Sequence, residues 1–507
     1  MKMKFIYITI LALVLAFLSC QELAVQNENE PDTERALATP GDVEGLVSSS
    51  ARRWEVENQK YGLSWTLSTM ADENSSSWGN VAMNDMSSEP RKAWDNNSTY
   101  SNAWVLEEFW YGMYNVISSC NDGLKAINAG MTIPDPTTGS DQTPRTRAFA
   151  KLMQGLAHGY LALIFDKAFI FDETVDLETQ VLDYSTYDQV MDAALAQLAE
   201  CANICASNTF TVPSTWWNGL ELSNADMEAL AHSYTARFMA CVARDETERA
   251  AVDWNAVINH ADQGITTDFA PVGDWATWWD ELKRYSHNPT WMRADYKTIG
   301  PADNSGAYQA WLATPVKDRT YFLIVTDDRR VVGADSATAD GTHFRYLGPA
   351  AFNPARGSYH FSYYGAWMHA DYYNNGGVGP MNIFDVSELD MLKAEGYYRL
   401  NQRGEAAALV NLTRVTNGQL PEATAGDADL LDKIKYEKRF ETFATGCGVA
   451  FFDSRGWGDL VSGTPIHFPV PGKELEILQE PIYTWGGGGE GSAPKMGAKR
   501  PHVEPQF

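Results

Sequence analysis

Apolar residues recur at helical spacing through the first half of the chain. Val43, Leu46 and Val47 mark a stripe that begins near Asp42, and a second stripe covers residues 61–70. The strongest run is 104–128, where Leu106, Phe109, Trp110, Met113, Tyr114, Ile117, Leu124 and Ile127 fall on one helical face. A break rich in Pro and Gly at 131–144 separates it from a helix predicted over 146–165. Further helices are predicted over 184–207, 223–244 and 253–264, with Ser223 and Asp253 as N-caps and Gly264 as a stop. From Ile265 to Asn382 the period is lost, and Gly, Pro and aromatic residues surround short β-like pieces at 321–325 and 358–364. Helical spacing returns at 387–403, 404–416 and 427–443, and everything after Gly456 reads as loop. Antiparallel helix pairs joined by short turns stack by burying their inner faces. The pattern therefore predicts a mainly all-α, tetratricopeptide-like repeat scaffold with a long loop-rich excursion, although the period of about 34 residues is not strict. Ala394, Gly396 and the alanines at 406–408 permit close helix contact.

The two ends of the chain and one internal stretch depart from this pattern. Lys2 and Lys4 precede an apolar run from Phe5 to Leu18. About fourteen apolar residues are too few to cross roughly 30 Å of hydrocarbon, so the run reads as an export signal. Ser19 followed by Cys20 resembles a bacterial lipoprotein cleavage site, though Phe17 and Leu18 depart from the commoner pattern of Leu and then a small residue. Acylation of Cys20 would hold the mature chain on a membrane without a spanning segment. Glu22, Glu28, Glu30, Asp32 and Glu34 make 21–40 a flexible acidic tether, similar to the surface-export stretch of some Gram-negative lipoproteins. The division expected is signal peptide 1–20, tether 21–40, N-terminal helical region 41–264, aromatic excursion 265–384, and C-terminal helical region with tail 385–507. Residues 71–100 are rich in Asn, Ser, Asp and Trp without periodicity, and long ordered loops of this kind are usually functional.

Composition narrows the chemistry. A chain of 507 residues, 44% hydrophobic, can bury one large core or two fused ones. A net charge of -27 argues against nucleic acid and against tight contact with anionic head groups. Six cysteines become five once Cys20 is lipidated, and an odd number cannot pair completely; Cys120, Cys201, Cys205, Cys241 and Cys447 are expected as small buried side chains. No nucleophile elbow, zinc-protease, phosphate-loop or EF-hand pattern occurs. Gly486 to Gly491 formally fits a dinucleotide fingerprint but has no strand before it and no helix after it. Adjacent acids such as Glu107 with Glu108, or Asp327 with Asp328, point apart on any regular element and cannot flank one glycosidic bond. The nine histidines are scattered; His158, His232 and His260 read as core or surface residues, and no metal or cofactor is expected.

What remains is a set of aromatic and polar residues suited to a neutral, hydroxyl-rich ligand. A sugar ring has an apolar face and a rim of hydroxyls, which suits a flat aromatic platform flanked by amides and charges. Residues 71–100 offer Trp78 and Trp94 beside Asp72, Asn80, Asn84, Asp85, Arg91 and Asn96. The excursion offers Trp275, Trp278, Trp279, Trp291 and Trp311, with Tyr363, Tyr364, Tyr372 and Tyr373. The spacing of Trp275, Trp278 and Trp279 is also that of a helix burying one face. The site set is therefore Asp72, Trp78, Asn80, Arg91, Trp94, Trp275, Trp278, Trp291 and Trp311.

Several local patterns together resemble one family. Glu437-Lys438-Arg439-Phe440-Glu441, then Gly446, then Phe451-Phe452-Asp453-Ser454-Arg455-Gly456-Trp457-Gly458 are followed by Phe468-Pro469-Val470-Pro471 with Glu474-Leu475. Upstream stand Leu392-Lys393-Ala394-Glu395, Asn411-Leu412-Thr413-Arg414, and the run Ala157-His158-Gly159-Tyr160-Leu161 that ends in Phe165-Asp166-Lys167. In this order, and with the lipoprotein start, they resemble the SusD/RagB nutrient-binding outer-membrane lipoproteins. Ser454 and Gly456 interrupt the family's charged run, and 485–507 does not match its usual ending. The resemblance implies a body of tetratricopeptide-like helix pairs whose loops capture a nutrient, usually an oligosaccharide. It also implies a lid on a SusC-like TonB-dependent outer-membrane transporter, with the chain lipid-anchored and facing the cell exterior. Arg439, Asp453 and Arg455 are expected to tie loops to helix ends by charge-assisted hydrogen bonds. Two other classes stay open from the residues: a helical-repeat lipoprotein for a peptide or protein nutrient, and a glycoside hydrolase whose distant carboxylates meet in the fold.

Overall fold

The computed structural model describes residues 37–60, 62–177, 179–350 and 360–487. The export signal with Cys20, the tether up to residue 36, Tyr61, Ser358 and the tail from 488, with most of its glycine run, lie outside the described residues.

The principal helices follow the apolar periodicity. They are α1 (Pro40–Glu55), α2 (Leu63–Met70), α3 (Trp104–Asn128), α4 (Thr143–Ile164), α5 (Tyr187–Ser207), α6 (Asn224–Cys241), α7 (Trp254–Asp262), α8 (Val386–Arg399), α9 (Arg403–Arg414), α10 (Leu430–Glu441) and α11 (Val449–Gly456). Their starts are encoded locally. Thr39 accepts the Asp42 N–H and Asp42 accepts the Thr39 N–H, a reciprocal cap that recurs between Ser223 and Asp226 at α6. Asp253 caps α7 by accepting the Ala256 N–H at 3.0 Å.

Helices α3 to α8 pack each on the next, with α1 against α3; α8 then packs on both α9 and α10. Because α7 sits directly against α8, the whole excursion between them is looped out of a continuous helical stack. This is the mainly α, tetratricopeptide-like arrangement that the sequence predicts. Close crossing demands small residues: a Cβ on Gly159 of α4 would lie 2.0 Å from Phe238 Cε2 on α6. Ala394 and Ala406 are fully buried where α8 meets α9.

The C-terminal motifs serve as ties. Arg237 of α6 forks onto Glu388 of α8 at 2.6 and 2.8 Å. Arg249 reaches Glu395 at 2.6 Å and Asp453 at 3.2 Å. Arg455 donates to the carbonyls of Leu163 (2.9 Å), Ile466 (2.8 Å) and Cys241 (2.7 Å), while Arg439 pairs with Asp459. Phe468 docks on the end of α4, donating its N–H to Ile164 O (2.8 Å), and the Asp166 N–H donates to Phe468 O (3.0 Å). The buried carboxylates of Glu388, Glu395 and Asp453 thereby gain charged partners and the buried carbonyls gain donors, the condition for burying either. Cys120, Cys201, Cys205, Cys241 and Cys447 are buried and unpaired.

Strands are short, and each sheet among the described residues has two of them. Four expectations need correction. The stretch 71–100 is not one open loop: Asn74–Ser75 pairs with Arg293–Ala294, and Met83–Ser87 is helical. Residues 321–325 run without a ladder partner, whereas the second β-like piece pairs at Tyr364–Ala366 with Phe344–Tyr346. Residues 275–279 bend, with Trp275 at φ 63, and form no helix. Past Gly456, Gly472–Ile477 is helical. The pairing at Asn74–Ser75 depends on a partner far away in sequence, which local pattern does not report, whereas the bend at 275–279 is set by Asp274 and the two short helices are too brief to show a period. No helix among the described residues is long and apolar enough to cross a membrane.

Candidate ligand-binding site

Two segments 212 positions apart are stitched together at the surface. After Asn74–Ser75 pairs with Arg293–Ala294, Ser76 Oγ donates to Trp291 O at 2.8 Å and Trp78 Nε1 donates to Thr290 O at 2.9 Å. These bonds hold Trp78 stacked on Trp291, with centroids 5.3 Å apart and planes 26° apart. Trp291 leans on Tyr285 at 4.5 Å, and Trp65 of α2 backs Tyr285 at 4.6 Å. Arg284, beside Tyr285 on the short helix Glu281–Ser286, lays its guanidinium 3.6 Å over Trp275. Trp275 stacks on Trp279 at 5.4 Å, and the Lys60 ammonium lies 3.5 Å over Trp279. The result is a continuous stripe of rings and cations. Trp78 is 40% exposed and Trp275 38%, and Trp279, Arg284, Tyr285 and Trp291 are half-buried.

Each member is held from beneath. Asp280 caps the short helix by accepting the Lys283 N–H at 2.8 Å. Asp274 accepts the N–H groups of Ala276, Thr277 and Trp278 at 2.9, 2.6 and 3.0 Å, which folds Trp275 outward. Gly377, at φ 86, lies against that ring; a Cβ there would come 2.9 Å from Trp275 Cε3. The π-helical turn Val56–Lys60 after α1 places Lys60, and buried Glu55 accepts the Trp279 N–H at 3.2 Å. Burial pushes the Glu55 carboxyl up to about 8, against the pull of Arg52 at 2.6 Å. Fixed rings of this kind offer apolar faces, and Arg284 over Trp275, Lys60 over Trp279 and exposed Asn80 near Trp78 supply donors beside them.

The structure brings Trp78, Trp275 and Trp291 into this stripe and leaves Asn80 exposed two residues beyond Trp78. The other five predicted residues are elsewhere. Trp94 is 1% exposed, edge-on to Phe468 (5.3 Å) and Tyr100 (5.5 Å), with its N–H on Trp485 O. Trp278 is buried against Trp217 at 6.3 Å. Trp311 is buried among Tyr296, Tyr308 and His360, with Arg319 4.1 Å over its ring. Asp72 and Arg91 form a buried ion pair at 2.7 Å. As they stand, Trp94, Trp278, Trp311 and Arg91 are core, because tertiary packing covers the faces a ligand would need, and Asp72 lines a separate cavity with its carboxylate held by Arg91. Lys60, Arg284 and Tyr285 were missing from the predicted set, and Trp279 stood among the wider candidates only; the signal for the first three was their place beside Tyr61 and between Trp279 and Trp291.

The Asp72 pair belongs to a larger cluster. Lys297 reaches Asp72 (3.3 Å) and Glu89 (3.1 Å); His360 Nδ1 lies 3.4 Å from Asp295 and 3.5 Å from Asp72, and its Nε2 3.0 Å from Glu89. Asp72, Asp295 and His360 are close enough together to grip a metal ion. Burial depresses the His360 pKa, but the carboxylates of Asp295, Asp72 and Glu89 outweigh it and raise the pKa to about 10. An imidazolium has no lone pair to give, and Arg91 and Lys297 already balance the carboxylates, so the cluster is a lock for the 71–100 stretch. A cavity of about 380 Å³ opens beside it, lined by Lys297, Tyr308, Tyr436, Lys435, Arg439 and Asp459 among others. Its cations are paired with carboxylates, Lys297 with Asp72, and Lys435 (3.1 Å) and Arg439 with Asp459.

No family model matches the sequence, and no curated protein matches it. Solved structures match by fold. A SusD superfamily protein from Parabacteroides distasonis superposes with a TM-score of 0.58 at 12% identity, covering 86% of this chain and 97% of that one. One from Bacteroides vulgatus gives 0.56 at 13% identity over 87% and 97% of the two chains, and one from Bacteroides thetaiotaomicron gives 0.54 at 15% over 86% and 96%. The correspondence runs through almost the full length of each neighbour, so this chain shares its overall fold with these SusD superfamily proteins.

Proposed function

We propose that this protein is a non-catalytic glycan-binding lipoprotein of the SusD/RagB family, which captures oligosaccharide at the cell surface and passes it to a SusC-like TonB-dependent outer-membrane transporter. The observation that carries the reading is the half-exposed stack of Trp78 on Trp291, continued through Tyr285 and Arg284 to Trp275. Rings presented in a row, with cations between them, suit successive sugar faces and their hydroxyls better than they suit a single small ligand. In this reading the helical regions 41–264 and 385–507 are scaffold, the excursion 265–384 and the turn around Trp78 hold the cargo, and acylated Cys20 is the anchor.

Affinity electrophoresis against a polysaccharide panel, run beside binding to a peptide panel, tests the ligand class. Retardation by one or more polysaccharides supports the proposal, and peptide binding without any polysaccharide retardation contradicts it. Palmitate labelling of cells tests the anchor: the wild-type chain incorporates label and Cys20→Ser does not.

A further inference from the structure

Arg284 stands apart among the arginines of the described residues. Its guanidinium lies 3.6 Å over Trp275 and 5.4 Å from the centre of the Tyr285 ring, yet it makes no ion pair and no hydrogen bond with another described residue. Every other described arginine spends donors on a partner: on carboxylates, as Arg52 does on Glu55, or on carbonyl and amide oxygens, as Arg455 does on Cys241 O. Contact with a ring fixes a guanidinium without consuming the N–H donors in its own plane. Arg284 is therefore a half-buried cation, held in place, with its fork open. Glu281, one turn earlier on the same short helix, makes no ion pair with it; that carboxylate accepts Trp279 Nε1 at 2.8 Å, and burial raises its pKa. Trp275 carries Arg284 and stacks on Trp279 at 5.4 Å, so this ring seats the cation, whereas Trp78 keeps an open face. A second guanidinium without a carboxylate follows. Arg345 lies 4.3 Å over Trp367 and donates to His287 O at 2.5 Å, directly after the short helix. In a chain of net charge -27 carboxylates are plentiful, and neither arginine has one in contact.

We propose that the cargo of the stripe is an acidic oligosaccharide, with the carboxylate of a uronic-acid unit gripped by Arg284 while a neighbouring sugar ring lies on Trp78. The inference rests on the glycan reading above and narrows it, replacing the neutral ligand expected from sequence with an acidic one. A ligand that covers a half-buried guanidinium strips its remaining water, and a charge that loses water needs a counter-charge. Sugar hydroxyls offer only neutral acceptors. A carboxylate offers two oxygens in one plane, matched to the guanidinium fork, in charge-assisted bonds about twice as strong as neutral ones. Arg345 gives a second such position further along, which suits a chain bearing acids at intervals. The net charge of -27 opposes a polyanion at long range, but at physiological ionic strength exposed charges more than about 8 Å away are largely screened, so the local pair decides.

Affinity electrophoresis of the mature chain in gels containing polygalacturonate, alginate or glucuronoxylan, each beside its carboxyl-reduced form, tests the proposal. The expected result is retardation by at least one acidic form and an affinity about tenfold weaker for its reduced form. Arg284→Gln should lose the same factor on the acidic form and little on the reduced one, so that the ratio of the two falls to near one; Arg284→Lys, which keeps the charge but not the fork, should restore only part. Trp78→Ala should weaken both forms alike, which tells loss of the platform from loss of the carboxylate grip. Neutral or carboxyl-reduced polysaccharides that retard the protein as strongly as the acidic forms, or an unchanged ratio in Arg284→Gln, overturn this inference and leave the glycan reading standing. Retardation by dextran sulfate and by none of the three uronates overturns the carboxylate assignment, and binding of peptides alone ends both readings.

Discussion

Trp78→Ala removes the most exposed ring of the stripe, and the structure sets the size of the effect. Trp78 is 40% exposed. For a side chain of about 200 Å² this leaves roughly 80 Å² that a sugar face can cover, worth about 2 kcal/mol at about 25 cal/mol per Å². The dissociation constant should therefore rise about 30-fold. The same change costs the folded state its stack on Trp291 and the Nε1 bond to Thr290. Those losses together are about 1–3 kcal/mol, a tolerable fraction of a stability of about 5–15 kcal/mol. Binding and folding thus separate at this position. They do not separate at Trp94, where truncation of a ring 1% exposed costs about 3–5 kcal/mol of stability and removes no contact surface. The assay is calorimetry with an oligosaccharide drawn from a polysaccharide that retards the protein, with thermal melts of each variant alongside. Trp78→Phe should keep part of the affinity. An affinity within twofold of the wild type for both Trp78→Ala and Trp78→Phe would refute the reasoning.

Three further outcomes follow from the scaffold. Gly159→Ala forces a Cβ into Phe238 and should cost about 1–3 kcal/mol in denaturant unfolding, with partial rescue by Phe238→Leu. Arg237→Met strands the buried Glu388 carboxylate and should cost about 3–5 kcal/mol, much of it regained in Arg237→Met/Glu388→Leu. The His360 cluster gives a pH window. His360 is raised from 6.5 to about 10, so its contribution is full below 6.5 and fades as pH rises toward 10. Glu89 is lowered from 4.5 to about 2 although burial opposes this, so its contribution is full above 4.5 and fades as pH falls toward 2. The melting temperature should be least sensitive to His360→Asn at the alkaline end and most sensitive between these limits; a pH-independent difference would contradict the assignment.

Helices were legible because burial of one face imposes a repeat that the residues themselves carry: Leu106 to Ile127 trace α3 end to end, and Ser223 and Asp253 announce α6 and α7. The strands were not, because Asn74 finds its partner at Ala294, and nothing near either residue records the pairing. Trp78 and Trp94 show the same limit at the site. Both stand among Ser, Asn and Asp, yet Trp94 is roofed by Phe468 and tied to Trp485, while Trp78 is propped on Trp291 with its outer face open. Local polarity marked the stretch as unusual, but only the return of the distant C-terminal segment decided which ring was covered. Arg284 and Tyr285 were overlooked for a related reason: six residues are too short for a helix to show its period, and their role comes from the tryptophans placed on either side.

A crystal structure with bound oligosaccharide tests the central claim most directly. The account predicts a sugar ring lying parallel to Trp78, with hydroxyls directed at Arg284, Lys60 or Asn80. Oligosaccharide seated instead in the charged cleft between Tyr308 and Tyr436, with the aromatic stripe bare, would contradict it.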